Sequence, residues 1–246
     1  MALDLTPAAL DRFAEDYYLN DAIDDTDIEE LAQRHSIPPI LAATAGCPRL
    51  LEMGYGTGLI AGELLAADRA VDVLEGSSKL CEFATQRHSG QPLRMIESMF
   101  EDFSPTEPYD AVLALHVLEH VDDPVGIVRQ IGTWLRHGGV LVAVTPNARS
   151  LHRLLGVQLG VQEHLDDLSE RDKLVGHQRV YDLAGLSGDL SAGGFEILDT
   201  FGYFVKPLSN RQMIDWTPEV LDGLNAISSQ VPADICGNIG VVCRRH

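Results

Sequence analysis

"LLEMGYGTGLIAGEL", Leu50–Leu64, is the stretch that decides the fold. It begins as a short apolar run, which fits a strand buried on both faces. Gly54, Gly56 and Gly58 then follow at alternate positions, and a helix-like run closes the stretch. A strand that ends in bare main chain and opens a helix predicts a ligand cradle. Glycine adopts backbone angles other residues avoid, and it lets a ligand approach the main chain closely.

Working outward, the same alternation continues. "AVDVLEG" reads as a second strand, with Ser77 and Ser78 as N-caps for a helix over 79–88. "LRMIES" is a third strand, and "YDAVLALHV" a fourth with the helix "VGIVRQIGTWL" behind it. "GGVLVAVTP" is a fifth strand, preceded by a Gly-Gly turn, and "FEILDTFGYFV" and "ICGNIGVVCRR" are the last two. Strands alternating with helices predict parallel pairing in an α/β sheet covered on both faces. Residues 209–229 read as one amphipathic helix carrying Met213, Ile214 and Trp216. Residues 148–180 break the rhythm with five Lys/Arg and three His, as an insertion over the site or as connecting helices.

Upstream of the decisive stretch, residues 1–46 read as helical and acidic, with ten Asp or Glu among the first thirty residues. "DAIDDTDIEE" is expected to be a solvated helix face. The chain has 246 residues, 45% of them apolar and 22% charged, which suits one sizeable domain with an appended lid. The net charge of −19 argues against nucleic acid or an anionic membrane as partner. No apolar run is long enough to span a membrane, and the acidic start lacks signal-peptide order, so the cytoplasm is expected. The four cysteines, Cys47, Cys81, Cys236 and Cys243, are scattered and read as reduced, without a metal site.

The chemistry of the cradle narrows with its neighbours. Dinucleotide enzymes carry G-x-G-x-x-G, whereas here the spacing is G-x-G-x-G with Leu59 where the third glycine would stand. Glu75 ends the second strand 17 residues after Gly58, where a carboxylate can accept from both ribose hydroxyls of an adenosine. "ESMFEDFSP" offers Met99 and Phe100 to an adenine edge.

Together these segments resemble the class I S-adenosylmethionine-dependent methyltransferases. "LLEMGYGTG" looks like their first motif, "VDVLEGS" the second, "ESMFEDF" the adenine segment and "YDAVLALHVLEHVDDP" the fourth. "LRHGGVLVAVTPNARSLHRLLG" and "GHQRVYD" are similar to a bacterial small-molecule subgroup. The resemblance implies a Rossmann-like α/β fold. Its seven-stranded sheet would be mostly parallel with an antiparallel last strand and helices on both faces. A helical lid over 1–46 would precede a methyltransferase domain over 47–246, with 148–180 and 205–230 as substrate-side insertions. It implies S-adenosylmethionine as cofactor and S-adenosylhomocysteine as product. Glu52, Gly54, Gly56 and Gly58 would hold the methionyl end. Glu75, with Gly76 and Ser77 beside it, would take the ribose, and Met99 and Phe100 the adenine. The backbone carbonyl of Leu115 would meet the amino group. Tyr55 departs from the family's small residue or Cys; its phenol covers the methionine part or packs nearby.

Methyl transfer to a hydroxyl benefits from a general base, and histidine suits neutral pH. His177 in "GHQRVYD" and His116 after the fourth strand are the candidates, with Arg179, Tyr181, Tyr17 and Tyr18 as substrate contacts. His120 reads as structural, and Arg179 has a helix-entry ion pair as its alternative. The expected reaction is O-methylation of a small hydroxylated or acidic metabolite, with N-methylation as runner-up. More distant readings are a nicotinamide-dependent oxidoreductase or epimerase, and a non-catalytic S-adenosylmethionine-binding protein. A zinc peptidase through "HVLEH" is the last of them, since His116 and His120 could share one helix face. The oligomeric state is not legible.

Overall fold

The computed structural model describes residues 6–19 and 26–246. The acidic segment "DAIDDTDIEE" therefore lies outside the described residues over 21–25. Among the described residues, seven strands form one sheet: β1 (Leu50–Met53), β2 (Val71–Glu75), β3 (Leu93–Glu97), β4 (Tyr109–Leu115), β5 (Leu135–Pro146), β6 (Phe195–Tyr203) and β7 (Asn238–Arg245). Their order is β3-β2-β1-β4-β5-β7-β6. Strands β1 to β5 pair in parallel, while β7 runs antiparallel to both β5 and β6. The expected seven-stranded, Rossmann-like arrangement with an antiparallel last strand is what forms.

The parallel part follows from composition. All four residues of β1 are buried, because helices cover both faces of the sheet. One core layer joins Leu51, Met53 and Val112 to Ile127, Ile131 and Trp134. The other joins Leu50, Val73 and Leu113 to Ile40, Leu64 and Ala84. The helices are, in chain order, α1 (Pro7–Phe13), α2 (Thr26–Arg34), α3 (Ile37–Ala43), α4 (Leu59–Ala66), α5 (Ser78–Arg87), α6 (Pro124–Trp134), α7 (Leu151–Gln158), α8 (Glu170–Leu174) and α9 (Leu183–Ala192). Two more helices, α10 (Asn210–Met213) and α11 (Pro218–Ala226), follow β6.

The order reverses between β1 and β4: β2 lies on one side of β1 and β4 on the other. At such a switch point the connections leave in opposite directions, opening a crevice at the carboxyl ends of the strands. Helix α1 reaches this crevice from the N-terminus and continues as a π-helical turn, Ala14–Tyr18.

Two expectations are corrected. The span 209–229 is not one helix: Thr217 adopts extended backbone and Pro218 starts a new helix, so α10 and α11 are separate. Met213, the last residue of α10, is fully buried, while Ile214 is exposed. The Gly-Gly pair lies inside β5 rather than before it. The strand starts at Leu135, and Gly138, at φ +69°, accommodates a register shift against β4.

Candidate active site

A cavity of about 1180 Å³ occupies the crevice at the ends of β1, β2 and β4. Its floor is the glycine loop. Gly54, Gly56 and Gly58 have φ of +77°, +54° and +77°, a region that costs other residues about 1–2 kcal/mol. Around Gly54 a Cβ would meet nothing within 4 Å, so the main chain there is open to a ligand. Over Gly56 stands the Tyr18 ring, 4.0 Å from where a Cβ would sit. Gly58, expected to contact the ligand, does not line the cavity and is needed for a different reason: a Cβ there would come within 2.2 Å of the Tyr55 hydroxyl.

That contact locates Tyr55. Its hydroxyl meets His88 Nε2 at 3.0 Å, while its backbone N–H donates to Glu75 at 2.9 Å. The phenol thus packs against His88 and braces the loop, and Tyr55 also lines the cavity.

Two carboxyl groups end the neighbouring strands. Glu52 is 4% exposed, and its Oε2 has no hydrogen-bond partner among the described residues. Burial, and then the nearby Glu75, push its carboxyl well above the usual range. Glu75 accepts from the backbone N–H of Tyr55 at 2.9 Å and of Ser77 at 2.8 Å. Burial raises this carboxyl too, and those N–H groups partly offset the rise. Gly76, Met99, Phe100 and Leu115 also line the cavity. A Cβ on Gly76 would lie 2.6 Å from Leu10 and 3.1 Å from the Met99 sulfur, so α1 closes tightly over this rim. Ser77 is placed otherwise than expected. Its hydroxyl caps α5 and donates to Asp11 at 2.7 Å, and it does not line the cavity.

The far side of the cavity holds the histidines. His116 follows β4 at φ +56°, with Nε2 3.0 Å from the Tyr203 hydroxyl and Nδ1 3.4 Å from Glu119. Glu119 is fully buried, a residue the sequence reading passed over inside "HVLEH". Burial opposes its charge, but His116, His120 and His177 outweigh that and hold its carboxyl below the ordinary value. Burial draws His120 down to about 4, against the pull of Glu119, so this imidazole is neutral near pH 7. The His120 and His177 rings meet edge to face at 4.8 Å. Glu119, His120 and His177 each bring one polar atom within 4.8 Å of the others. The zinc-peptidase geometry is not formed, because residues 116–120 make a bend and a turn instead of a helix.

His177 arrives from the segment 148–180, whose helices α7 and α8 flank the cavity. Its Nδ1 lies 3.0 Å from Asp172 Oδ1. Arg179 and Tyr181 do not reach the cavity. Arg179 donates to the carbonyls of Leu118, Val121 and Asp122, which the tight turn leaves without backbone partners. Tyr181 donates to Asp189 at 2.8 Å and is buried in the core behind the sheet. Tyr17 and Tyr18 do line the cavity. Tyr17 donates to Glu29 at 3.1 Å, and Arg171 donates to both Tyr17 and Glu29 at 2.9 and 2.8 Å.

A family model described as a methyltransferase domain matches residues 17–200. The chain belongs to this methyltransferase-domain family. Curated relatives include a ubiquinone biosynthesis O-methyltransferase of Methylocella silvestris, 37% identical over 103 residues, 40% of each chain. Another, from Xanthomonas campestris pv. campestris, is 32% identical over 124 residues, 46% of this chain and 52% of the relative. The methyltransferase domain thus matches about half the length of these relatives or less. Solved structures share its fold. An S-adenosylmethionine-dependent methyltransferase of Mesorhizobium loti gives a TM-score of 0.60 at 16% identity, over 86% of this chain and 98% of that one. The N-methyltransferase NodS of Bradyrhizobium japonicum, with S-adenosylhomocysteine, gives 0.59 at 14% identity, over 96% and 98%.

Proposed function

We propose that this chain moves a methyl group from S-adenosylmethionine to a hydroxyl of a small hydroxylated or acidic metabolite, leaving S-adenosylhomocysteine. The observation that carries the reading is Glu52, a sealed carboxyl with one oxygen unpartnered among the described residues, beside the open main chain of Gly54. A buried carboxyl of this kind calls for a cationic partner. The α-amino group of an amino-acid ligand is one, so the residues fit this cofactor.

In this reading Glu52 and the loop Gly54–Gly58 hold the methionyl end, with the Leu115 carbonyl on the amino group. Glu75 retains lone pairs beyond its two backbone bonds and takes the ribose hydroxyls. Met99 and Phe100 flank the adenine. When bound, S-adenosylmethionine supplies a methyl group on positively charged sulfur. Tyr17, Tyr18 and Leu10 cover the crevice and exclude water, and fixed orientation of the reacting atoms can contribute about 7–11 kcal/mol in ideal cases. His177 or His116, both of which line the cavity, takes the hydroxyl proton. Residues 1–46 act as a lid on a methyltransferase domain spanning 47–246, and the insertion 205–230 within that domain closes over the site with them.

Oxygen as the accepting atom is supported by the names of the curated relatives, ubiquinone biosynthesis O-methyltransferases. A small-molecule acceptor suits the enclosed cavity, and a net charge of −19 disfavours a nucleic-acid partner. No described helix is long and apolar enough to cross a membrane. The four cysteines are free and buried, which suits the reducing cytoplasm. The test is calorimetry with S-adenosylhomocysteine, followed by labelled methyl transfer to a panel of phenols, alcohols, acids and amines. No uptake by ligand-free protein sinks the cofactor assignment. Label on nitrogen alone sinks the choice of oxygen. Wild-type turnover in both His116→Ala and His177→Ala removes the histidines from the mechanism.

A further inference from the structure

The geometry points to Asp172 as a positioning residue that fixes the cavity-lining His177 in one tautomer of its neutral ring, with Nδ1 protonated and Nε2 the bare nitrogen. This inference rests on His177 acting as proton acceptor in the proposed reaction. Nothing in the sequence motif marks Asp172, which lies five residues upstream in α8 and carries no resemblance to a catalytic signature.

Asp172 is buried and its two oxygens have separate tasks. Oδ2 receives the Arg153 guanidinium at 2.6 Å, the Ser169 hydroxyl at 2.6 Å and the Ser169 backbone N–H at 2.8 Å. Oδ1 is left for His177 Nδ1 at 3.0 Å. The carboxyl cannot rotate without breaking the first set. Arg153 is itself buried and anchored on the carbonyls of Leu165 and Asp167 at 3.2 and 2.8 Å. Burial works against the Asp172 charge, but His177, Arg153 and Ser169 outweigh it and hold the carboxyl well below the usual range. A carboxylate that stays ionised can only accept, so the proton between the two groups belongs to Nδ1. In the neutral ring, Nε2 is then the nitrogen that keeps its lone pair.

The backbone completes the alignment. His177 N–H donates to the Asp172 carbonyl at 2.8 Å, closing the turn that presents the ring. Gln178 N–H donates to the Glu119 carbonyl at 2.8 Å and fastens that turn to the loop after β4. Segment 148–180 is thereby more than a cover: it carries an acceptor-side base together with the residues that orient it. The arrangement follows the general logic in which a buried carboxylate sets the tautomer of a histidine base.

The test is nitrogen NMR of the His177 ring, assigned by its loss in His177→Gln, together with kinetics and S-adenosylhomocysteine affinity for Asp172→Asn. Wild-type protein is expected to show protonated Nδ1 and unprotonated Nε2. The side-chain amide introduced by Asp172→Asn can donate to Nδ1, so the variant is expected to show the opposite tautomer. Its turnover should fall about a hundredfold, the low end of a general base's contribution, with S-adenosylhomocysteine affinity within about twofold of wild type, since no cofactor contact changes. Protonated Nε2 in the wild type overturns the inference, as does stoichiometric metal on that nitrogen. So does full turnover in His177→Gln or in folded Asp172→Asn. Affinity measured on the same samples keeps these failures apart from a failure of the cofactor assignment. If Asp172→Asn does not fold, the wild-type spectrum still decides.

Discussion

The Tyr55 hydroxyl lies 3.0 Å from His88 Nε2, tying the glycine loop after β1 to the end of α5. The other ring nitrogen of His88 meets the Gln91 side-chain oxygen at 2.7 Å, which makes Nδ1 the donor and leaves Nε2 to accept from the phenol. A loop of three glycines has little side-chain packing of its own. It is held by this bond, by the Tyr55 N–H on Glu75 and by Arg87, which donates to the Thr57 carbonyl at 2.7 Å.

Tyr55→Phe should therefore weaken ligand binding without removing any ligand contact. The variant leaves a buried acceptor on His88 unsatisfied, at a cost of about 1–3 kcal/mol. We expect a lower melting temperature and a several-fold loss of S-adenosylhomocysteine affinity, read by calorimetry. A phenol that covered the methionine part would lose affinity with no change in melting.

Gly58→Ala combines two penalties. The backbone sits at φ +77°, and the new Cβ would fall 2.2 Å from the Tyr55 hydroxyl. The loop has to shift, so binding should be lost and melting should drop by several degrees. Pairing it with Tyr55→Ala removes the clash while retaining the backbone strain. The double variant should then be less destabilised than the sum of the singles, a non-additivity expected of residues in contact.

What could be read from the sequence, and what could not, divides along distance in the chain. β1, β2 and β4 are short apolar runs bounded by Gly or Pro, so pattern alone placed them. The residues proposed for the cofactor stood out as a group because Glu52, the glycines and Glu75 sit at strand ends within one strand–helix–strand unit. The acceptor half is assembled from afar: Arg171 and Tyr17 meet across 154 residues. Arg179 and Tyr181 looked like ligand contacts because polar residues in an irregular stretch invite that reading. Their real task is local, since the turn at 118–122 presents carbonyls that need donors and Asp189 needs one too. Only Asp172 had a local signature, the capping box Ser169–Asp172, and that motif speaks for a helix start rather than for a base.

Asp11 ties α1 to the start of α5 at the rim of the crevice. Its carboxylate accepts from the Ser77 hydroxyl at 2.7 Å, the Ser78 hydroxyl at 3.1 Å and the Lys79 N–H at 3.2 Å. These bonds, that with Ser77 first, hold its carboxyl below the ordinary value. The contribution is therefore complete at neutral pH and is lost as pH falls through the lowered value. Asp11→Ala should undock α1, which places Leu10 over Gly76. Limited proteolysis should then cut within residues 6–19 faster, while the rest of the chain keeps its wild-type pattern. Unchanged cleavage would mean that α1 is held by its apolar contacts alone.

Glu52 provides the sharpest contrast between stability and binding. Its folded carboxyl is raised well above the usual range, first by burial and then by Glu75. The folded chain thus keeps a proton there that the unfolded chain releases from about pH 4.3 upward. Stability must fall as pH rises through the interval between those two values, and it stays reduced above it. Glu52→Gln cannot ionise, so in the absence of ligand it should melt higher than wild type at pH 8, with the difference vanishing near pH 4. One kcal/mol corresponds to about 2–4 °C for a domain of this size. Binding should move the other way, because the amide cannot pair with a ligand ammonium group. Charge-assisted hydrogen bonds contribute about 1.5–3 kcal/mol, so S-adenosylhomocysteine affinity at pH 8 should fall roughly 10- to 100-fold. A variant that melts lower at every pH and binds normally would make Glu52 a purely structural residue and would remove the cationic partner from the crevice.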